Sequence, residues 1–334
     1  MKILVVAPSW IGDTVLAQPL FARLHQRHPG LELDVLAAGW SAPLLARMPE
    51  VRRVVDSPFG HGELKLGARW RLARRLAAEG YDEAVVLPNS LKSALIPFLA
   101  GIPKRTGYKG ESRFGLINDM HLLDKARHPR LVDRYARLAE APGSAATGVP
   151  LPLSLPHLVS SPEQQRHARE TLDLPSDGAP IVFCPGAEYG PAKRWPPRHF
   201  AALAAMAGSA DDPVWLVGSP KDAAAGDKIE ELAGGAAINL CGRTTLEQAI
   251  DLLAGARHVV SNDSGLMHVA AALGRPLVAV FGSSSVDYTP PMSPHAKIVS
   301  LGLECSPCFK RDCPLGHLQC LNDLTPEQVL AAMR

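Results

Sequence analysis

The chain has 334 residues, 46% hydrophobic, 5% aromatic and 20% charged, a composition that excludes the disordered and fibrous classes and favours two domains of ordinary size. Its net charge of +2 is too small for a general nucleic-acid binder, so no nucleic-acid partner is expected. The charge is unevenly divided: residues 1–150 hold 21 Lys and Arg against 14 Asp and Glu, leaving 14 against 19 in the rest. The first half therefore either faces something anionic or is simply well solvated.

Met1-Lys2 runs straight into the apolar block Ile3-Leu4-Val5-Val6, without the long apolar run and small-residue cleavage site of a signal peptide. A cytoplasmic location is expected. No stretch of eighteen residues is apolar and uncharged, so membrane contact, if any, is expected to be peripheral.

Apolar blocks then alternate with helical patterns, the order of parallel βαβ units and of the α/β class. In the first half the strands are expected at 3–7, 33–37, 51–55 and 84–87. Helices are expected at 14–27, 42–47 and 64–78, the last with an apolar stripe of Leu66, Trp70, Ala73 and Leu76. A further helix should start at Ser90 as N-cap and end at Gly101-Ile102-Pro103. Residues 141–162, rich in Pro, Gly, Ser and Ala, read as a linker region. Beyond it, strands are expected at 181–184, 214–217, 237–240, 258–261 and 277–281, with helices near 198–207, 223–233, 246–254 and 265–273. The domains are therefore set at 1–160 and 163–325. A terminal helix within 326–334 is able to pack on either domain.

Ligands of open parallel sheets bind beyond the carboxyl ends of the strands, so the loops there are the places to search. The first runs Pro8-Ser9-Trp10-Ile11-Gly12-Asp13. Gly12 permits close backbone approach, and Asp13 at the helix mouth is either a general base for an attacking alcohol or an N-cap. The second runs from Pro185-Gly186 to Trp195-Pro196, where glycines and prolines frame an open loop that delivers Lys193 and Arg194. Such cations suit a departing diphosphate, unless they are only solvated surface charges.

The third loop, Ser261-Asn262-Asp263-Ser264-Gly265, takes a strand abruptly into a helix, with Asp263 expected as cap. Gly265 opens the helix amides to a phosphate, and His268 lies one turn beyond Ser264. A satisfied structural histidine is the alternative. Gly282-Ser283-Ser284-Ser285 is a fourth candidate, and Asp222, after the 214–217 strand, a weaker one for ribose hydroxyls.

Together Ser9–Asp13, Pro185–Trp195 and Ser261–Ala272 resemble the ADP-heptose:lipopolysaccharide heptosyltransferases of glycosyltransferase family 9, and within them the type II branch. Leu87-Pro88-Asn89-Ser90-Leu91-Lys92-Ser93-Ala94 and the segment Ala100–Tyr108 extend the likeness over nearly the whole chain. The resemblance implies a GT-B fold, in which two Rossmann-like domains face a central cleft. It implies inverting transfer of heptose from ADP-heptose to heptosyl-Kdo2-lipid A of the lipopolysaccharide inner core, at the cytoplasmic face of the inner membrane. Asp13 would then be the base and Lys193 the contact to the donor phosphates. Gly12, Gly186, Asp222, Thr244, Asp263, Ser264, Gly265 and His268 would serve donor binding, with Thr244 near the adenine.

Lys92, Arg105 and Arg113 are expected to meet the anionic acceptor, and Arg69, Arg71, Arg74 and Arg75 to meet either anionic headgroups or solvent. With no Asp-x-Asp triplet anywhere in the chain, no cofactor or catalytic metal is expected. Other readings on the same architecture are a type I or III heptosyltransferase and a sugar-nucleotide 2-epimerase. Cys305-x2-Cys308-x4-Cys313-x6-Cys320, with His317 inside it, is either a zinc site or a group of free structural thiols.

Overall fold

A computed structural model describes residues 1–60, 63–143 and 151–334. They form two compact units, Met1–Pro156 and His157–Arg334. Residues 144–150 of the expected linker lie outside the described residues.

The first unit is built from β1 (Lys2–Val6), α1 (Ile11–Leu16), α2 (Gln18–Arg27), β2 (Glu32–Ala37), α3 (Ala42–Leu45), β3 (Arg53–Asp56), α4 (Leu66–Ala77), β4 (Glu83–Val86), α5 (Leu91–Leu99), β5 (Lys104–Tyr108), β6 (Asp119–His121) and α6 (Leu131–Ala136). All its strand pairings are parallel, in the order β3-β2-β1-β4-β5-β6. Because helices cover such a sheet on both faces, its central strands are continuous apolar runs: Ile3, Leu4 and Val5 of β1 and Ala84, Val85 and Val86 of β4 are wholly buried.

Asp34 is the exception in β2. It is buried among apolar neighbours but accepts hydrogen bonds from Arg52 at 2.8 and 2.7 Å, from Arg53 at 3.0 Å and from Tyr81 Oη at 2.6 Å. Burial raises its pKa, yet the Arg52 and Tyr81 hydrogen bonds outweigh that and hold the carboxyl below its ordinary value.

The second unit continues with α7 (Pro162–Thr171), β7 (Ile181–Cys184), α8 (Pro197–Ala207), β8 (Val214–Leu216), α9 (Ala223–Ala233), β9 (Ala237–Asn239), α10 (Leu246–Ala254), β10 (His258–Asn262), α11 (Gly265–Ala272), β11 (Leu277–Val280), β12 (Ala296–Val299), α12 (Gln319–Asn322) and α13 (Pro326–Met333). Its strands are also parallel, ordered β12-β11-β10-β7-β8-β9. Read from the far edge, this repeats the 3-2-1-4-5-6 order of dinucleotide-binding sheets found in the first unit. Helix α13 packs on α8, β11 and β12, so the terminal helix belongs to the second unit.

Three differences from the sequence reading have physical causes. The helix expected over 14–27 is two helices, because Pro19 supplies no amide to bond back across the junction at Ala17. In α4 the buried face is Arg69, Leu72, Ala73 and Leu76, while Leu66 and Trp70 of the expected stripe are 58% and 51% exposed. Strands β5, β6 and β12 carry Lys104, Arg105, Asp119 and Lys297 and lie at or next to sheet edges, where one face need not be apolar.

Candidate active site

In each sheet the chain winds outward in opposite directions from two adjacent strands, β1 and β4 in the first and β7 and β10 in the second. The loops leaving such a pair diverge and open a crevice at the carboxyl edge. Those four loops carry Asp13, Lys92, Lys193 and Asp263–His268.

At the first crevice, Trp10 is the N-cap of α1 and its side chain makes no capping bond; Gly12 and Asp13 are the second and third helical residues. The N-cap reading of Asp13 is therefore corrected. Gly12 is buried, and Asp13 stands half-buried in the first turn. Across the switch point, Ser90 caps α5 by accepting the Ser93 N–H at 3.3 Å, and this places Lys92, half-buried, in the first turn.

The two arginines expected beside it are engaged elsewhere. Arg113 is buried, donating to the Pro88 carbonyl at 2.7 Å, to Asn89 Oδ1 at 2.9 Å and to the Tyr108 carbonyl. Arg105 donates to the carbonyls of Leu116 at 2.7 Å, Ile102 at 2.6 Å and Gly115 at 3.2 Å. Both brace loops; Arg113 is too buried for the acceptor contact expected of it, while Arg105 stays half-buried. Arg69 is likewise buried, holding the carbonyls of Leu64, Glu63 and Lys92, whereas Arg71, Arg74 and Arg75 are exposed.

At the second crevice the side chain that organises the geometry is Asn262, wholly buried at the end of β10. Its Oδ1 accepts the Trp195 N–H at 3.0 Å and its Nδ2 donates to the Pro185 carbonyl at 2.7 Å, so one amide clamps both ends of the Lys193 loop. Sequence reasoning gave Asn262 no role; a carboxamide at the end of a buried strand was the available signal. Trp195 is in turn fixed by its indole N–H on the Leu324 carbonyl at 2.9 Å.

The clamp delivers Lys193 Nζ to Asp263 Oδ2 at 2.5 Å, with the Tyr189 ring 5.4 Å away. Lys193 has three N–H donors and Asp263 takes one, so two remain for an anion. Arg194 turns back instead, donating to the Ala187 carbonyl at 3.1 Å, so the paired-cation expectation reduces to Lys193.

Helix α11 begins beside this pair. Its N-cap is Ser264, not Asp263, and the Ser264 side chain makes no capping bond; its hydroxyl lies 3.2 Å from Ser261 Oγ. Gly265 follows in the first turn, half-buried, which leaves the helix amides without a side-chain cap. His268 is buried, its Nδ1 without a partner among the described residues, and burial pushes its pKa down to about 4 against the opposing pull of Asp263. The imidazole is therefore neutral at physiological pH.

Asp222 is engaged in the loop frame. Its Oδ2 accepts the Ser219 N–H at 3.0 Å and hydroxyl at 2.6 Å, and a Cβ on Gly186 would come within 2.3 Å of that oxygen. Gly186 is thus required for the packing of Asp222, which braces the loop through Ser219. Thr244 is half-buried just before Thr245, the N-cap of α10, at the carboxyl edge of β9. In the 282–285 loop, Ser283 lines a cavity with the C-terminal cysteines and Ser284 is buried without a side-chain partner among the described residues.

A family model described as glycosyltransferase family 9 (heptosyltransferase) matches residues 69–319. The chain belongs to glycosyltransferase family 9. Lipopolysaccharide heptosyltransferase 2 of Escherichia coli is 47% identical to it over 99% of this chain and 97% of that protein. Lipooligosaccharide heptosyltransferase 2 of Haemophilus influenzae is 45% identical over the same shares. The solved structure of E. coli ADP-heptose lps heptosyltransferase II superposes with a TM-score of 0.88 at 44% identity, covering 100% of this chain and 97% of that one. This glycosyltransferase accordingly has the two-Rossmann GT-B architecture that its sequence motifs imply.

The cysteines of the heptosyltransferase are all free thiols. Among the described residues no three His, Cys, Asp or Glu side chains stand in a metal-coordinating arrangement. No described helix is long and apolar enough to cross a membrane.

Proposed function

We propose that the protein transfers L-glycero-D-manno-heptose from ADP-heptose to heptosyl-Kdo2-lipid A, with inversion at the anomeric carbon and without a catalytic metal. The observation that carries the reading is the Lys193–Asp263 pair held by Asn262 beside the uncapped start of α11, a ready site for a diphosphate. Heptosyltransferase 2 relatives at 44–48% identity over 99% of this chain support the choice of substrates.

In this mechanism the Asp13 carboxylate takes the proton of an acceptor hydroxyl as its oxygen bonds to the anomeric carbon. The bond from that carbon to the donor phosphate oxygen breaks, and ADP leaves with the electron pair. Lys193 and the α11 amides stabilise the charge that develops there, the task a divalent ion performs in transferases that carry an Asp-x-Asp clamp. Neutral His268 adds no positive charge and acts as a hydrogen-bonding wall of the donor site.

Lys92 meets an acidic group of the acceptor. The exposed face of α4, with Leu66, Trp70, Arg71, Arg74 and Arg75, rests on the anionic surface of the inner membrane at its cytoplasmic side, where an apolar anchor beside basic residues suits the interface.

The test offers ADP-heptose with Kdo2-lipid A and, separately, with its monoheptosylated form, and follows ADP release. The type II reading predicts a strong preference for the monoheptosylated acceptor. Preference for Kdo2-lipid A would reassign the protein to type I, and ADP-heptose consumption without acceptor would favour an epimerase.

A further inference from the structure

The C-terminal segment before α12 has a chemistry that heptose transfer does not use. Cys305, Cys308, Cys313 and Cys320, 16 residues from first to last, all line one cavity of about 20 Å³, room for a single atom-sized occupant. Ser283, Ser306, His317 and Ala192 are among the other residues of its wall. By contrast, Cys184 and Cys241 are separately buried in the sheet core, where burial raises their thiol pKa, that of Cys241 to about 12. The four clustered cysteines are free thiols, exposed or half-buried.

At Cys313 the backbone turns an amide toward the sulfur. The Leu318 N–H donates to Cys313 Sγ at 3.4 Å. His317 Nδ1 is already engaged by the Gln319 N–H at 3.0 Å, which leaves the four sulfurs as the ligand set. The sulfurs line the cavity without yet converging on a coordination geometry. A cysteine has a single side-chain torsion, so rotation between staggered wells re-aims each sulfur without moving the backbone.

We propose that this cavity is a structural site for one thiolate-preferring ion, zinc or iron, bound by Cys305, Cys308, Cys313 and Cys320. Four thiolates favour a tetrahedral ion of that class and leave no open position for chemistry. The segment has a reason to be pinned. The Arg311 carbonyl accepts the Ala192 N–H at 3.0 Å, the Phe309 carbonyl accepts the Tyr189 hydroxyl at 2.9 Å, and a Cβ on Gly190 would lie 2.6 Å from the Arg311 oxygen. The cysteine segment is therefore the outer support of the loop that presents Lys193, and the ion would act on that loop by holding its support.

The full-length chain, purified under reducing conditions without chelator, should carry about one zinc or iron per chain by elemental analysis, which also separates the two metals. C308S/C313S should lower that content at least about tenfold, whereas C241A should retain it. Because the double variant could misfold, the wild-type chain stripped of metal provides an independent reading. Titrated with Co2+ in anaerobic buffer, it should develop intense thiolate-to-cobalt charge transfer and regain any melting temperature lost on stripping. A chain isolated without zinc or iron that also gives no cobalt–thiolate band, or whose four cysteines are recovered as disulfides, overturns the proposal.

Discussion

Of the residues at the donor crevice, His268 is the one whose environment makes a quantitative prediction. Burial takes its pKa from 6.5 to about 4, so between those values the unfolded chain binds a proton that the folded chain excludes. Its contribution is fully present above pH 6.5 and is lost as pH falls through about 4, by up to about 3 kcal/mol. Urea unfolding of wild type and H268Q at pH 7 and pH 5 should show a flatter pH dependence in the variant; parallel slopes would contradict the burial argument. Arg113 and Lys92 part in the same manner. R113Q leaves buried carbonyls without a donor and should cost about 3 kcal/mol of stability, judged by denaturant midpoint. K92Q should instead raise KM for the acceptor with the midpoint nearly unchanged. The sequence shows that both side chains are cationic, but not that one folds inward onto carbonyls brought together by β4, β5 and the loop after them. That outcome depends on contacts across 25 residues and has no local signature.

At the scale of elements, strands β7 to β11 and helices α8 to α11 of the second unit were legible nearly to the residue, because apolar blocks such as Ile181–Cys184 and Leu277–Val280 are buried and end in turn residues, whereas α7 and α12 were not foreseen. Strands β5, β6 and β12, at or next to sheet edges, were not, since strands there carry charge and lose the periodic signal. The Lys193 loop was legible from its Gly and Pro frame, yet the clamp that makes it rigid was not, because Asn262 reaches Pro185 across 77 residues. N262A removes a partner from both the Trp195 N–H and the Pro185 carbonyl, and should cost about 3 kcal/mol at about 1–3 kcal/mol per buried unsatisfied group. Because the clamp positions Lys193 without touching substrate, kcat should fall along with stability. Activity and thermal unfolding measured on one preparation check this, and an unchanged kcat in folded N262A would remove Asn262 from the mechanism.

For the molecule as a whole, the basic excess of the first half visible in composition includes the exposed arginines of α4. If α4 meets the membrane, R71Q/R74Q/R75Q should weaken binding to anionic vesicles by roughly a hundredfold at about 1 kcal/mol per charge, and high salt should mimic the change. Flotation with vesicles of graded anionic content is the check, with neutral vesicles as control. The larger claim is a division of labour in which a carboxylate of the first unit removes the acceptor proton and the second unit stabilises the departing ADP. The most direct test compares acceptor-dependent ADP release by wild type and D13N, with donor affinity measured calorimetrically on the same samples. The division predicts that kcat falls by about 10²–10⁴ while donor affinity is nearly unchanged. Turnover by D13N at the wild-type rate would contradict it.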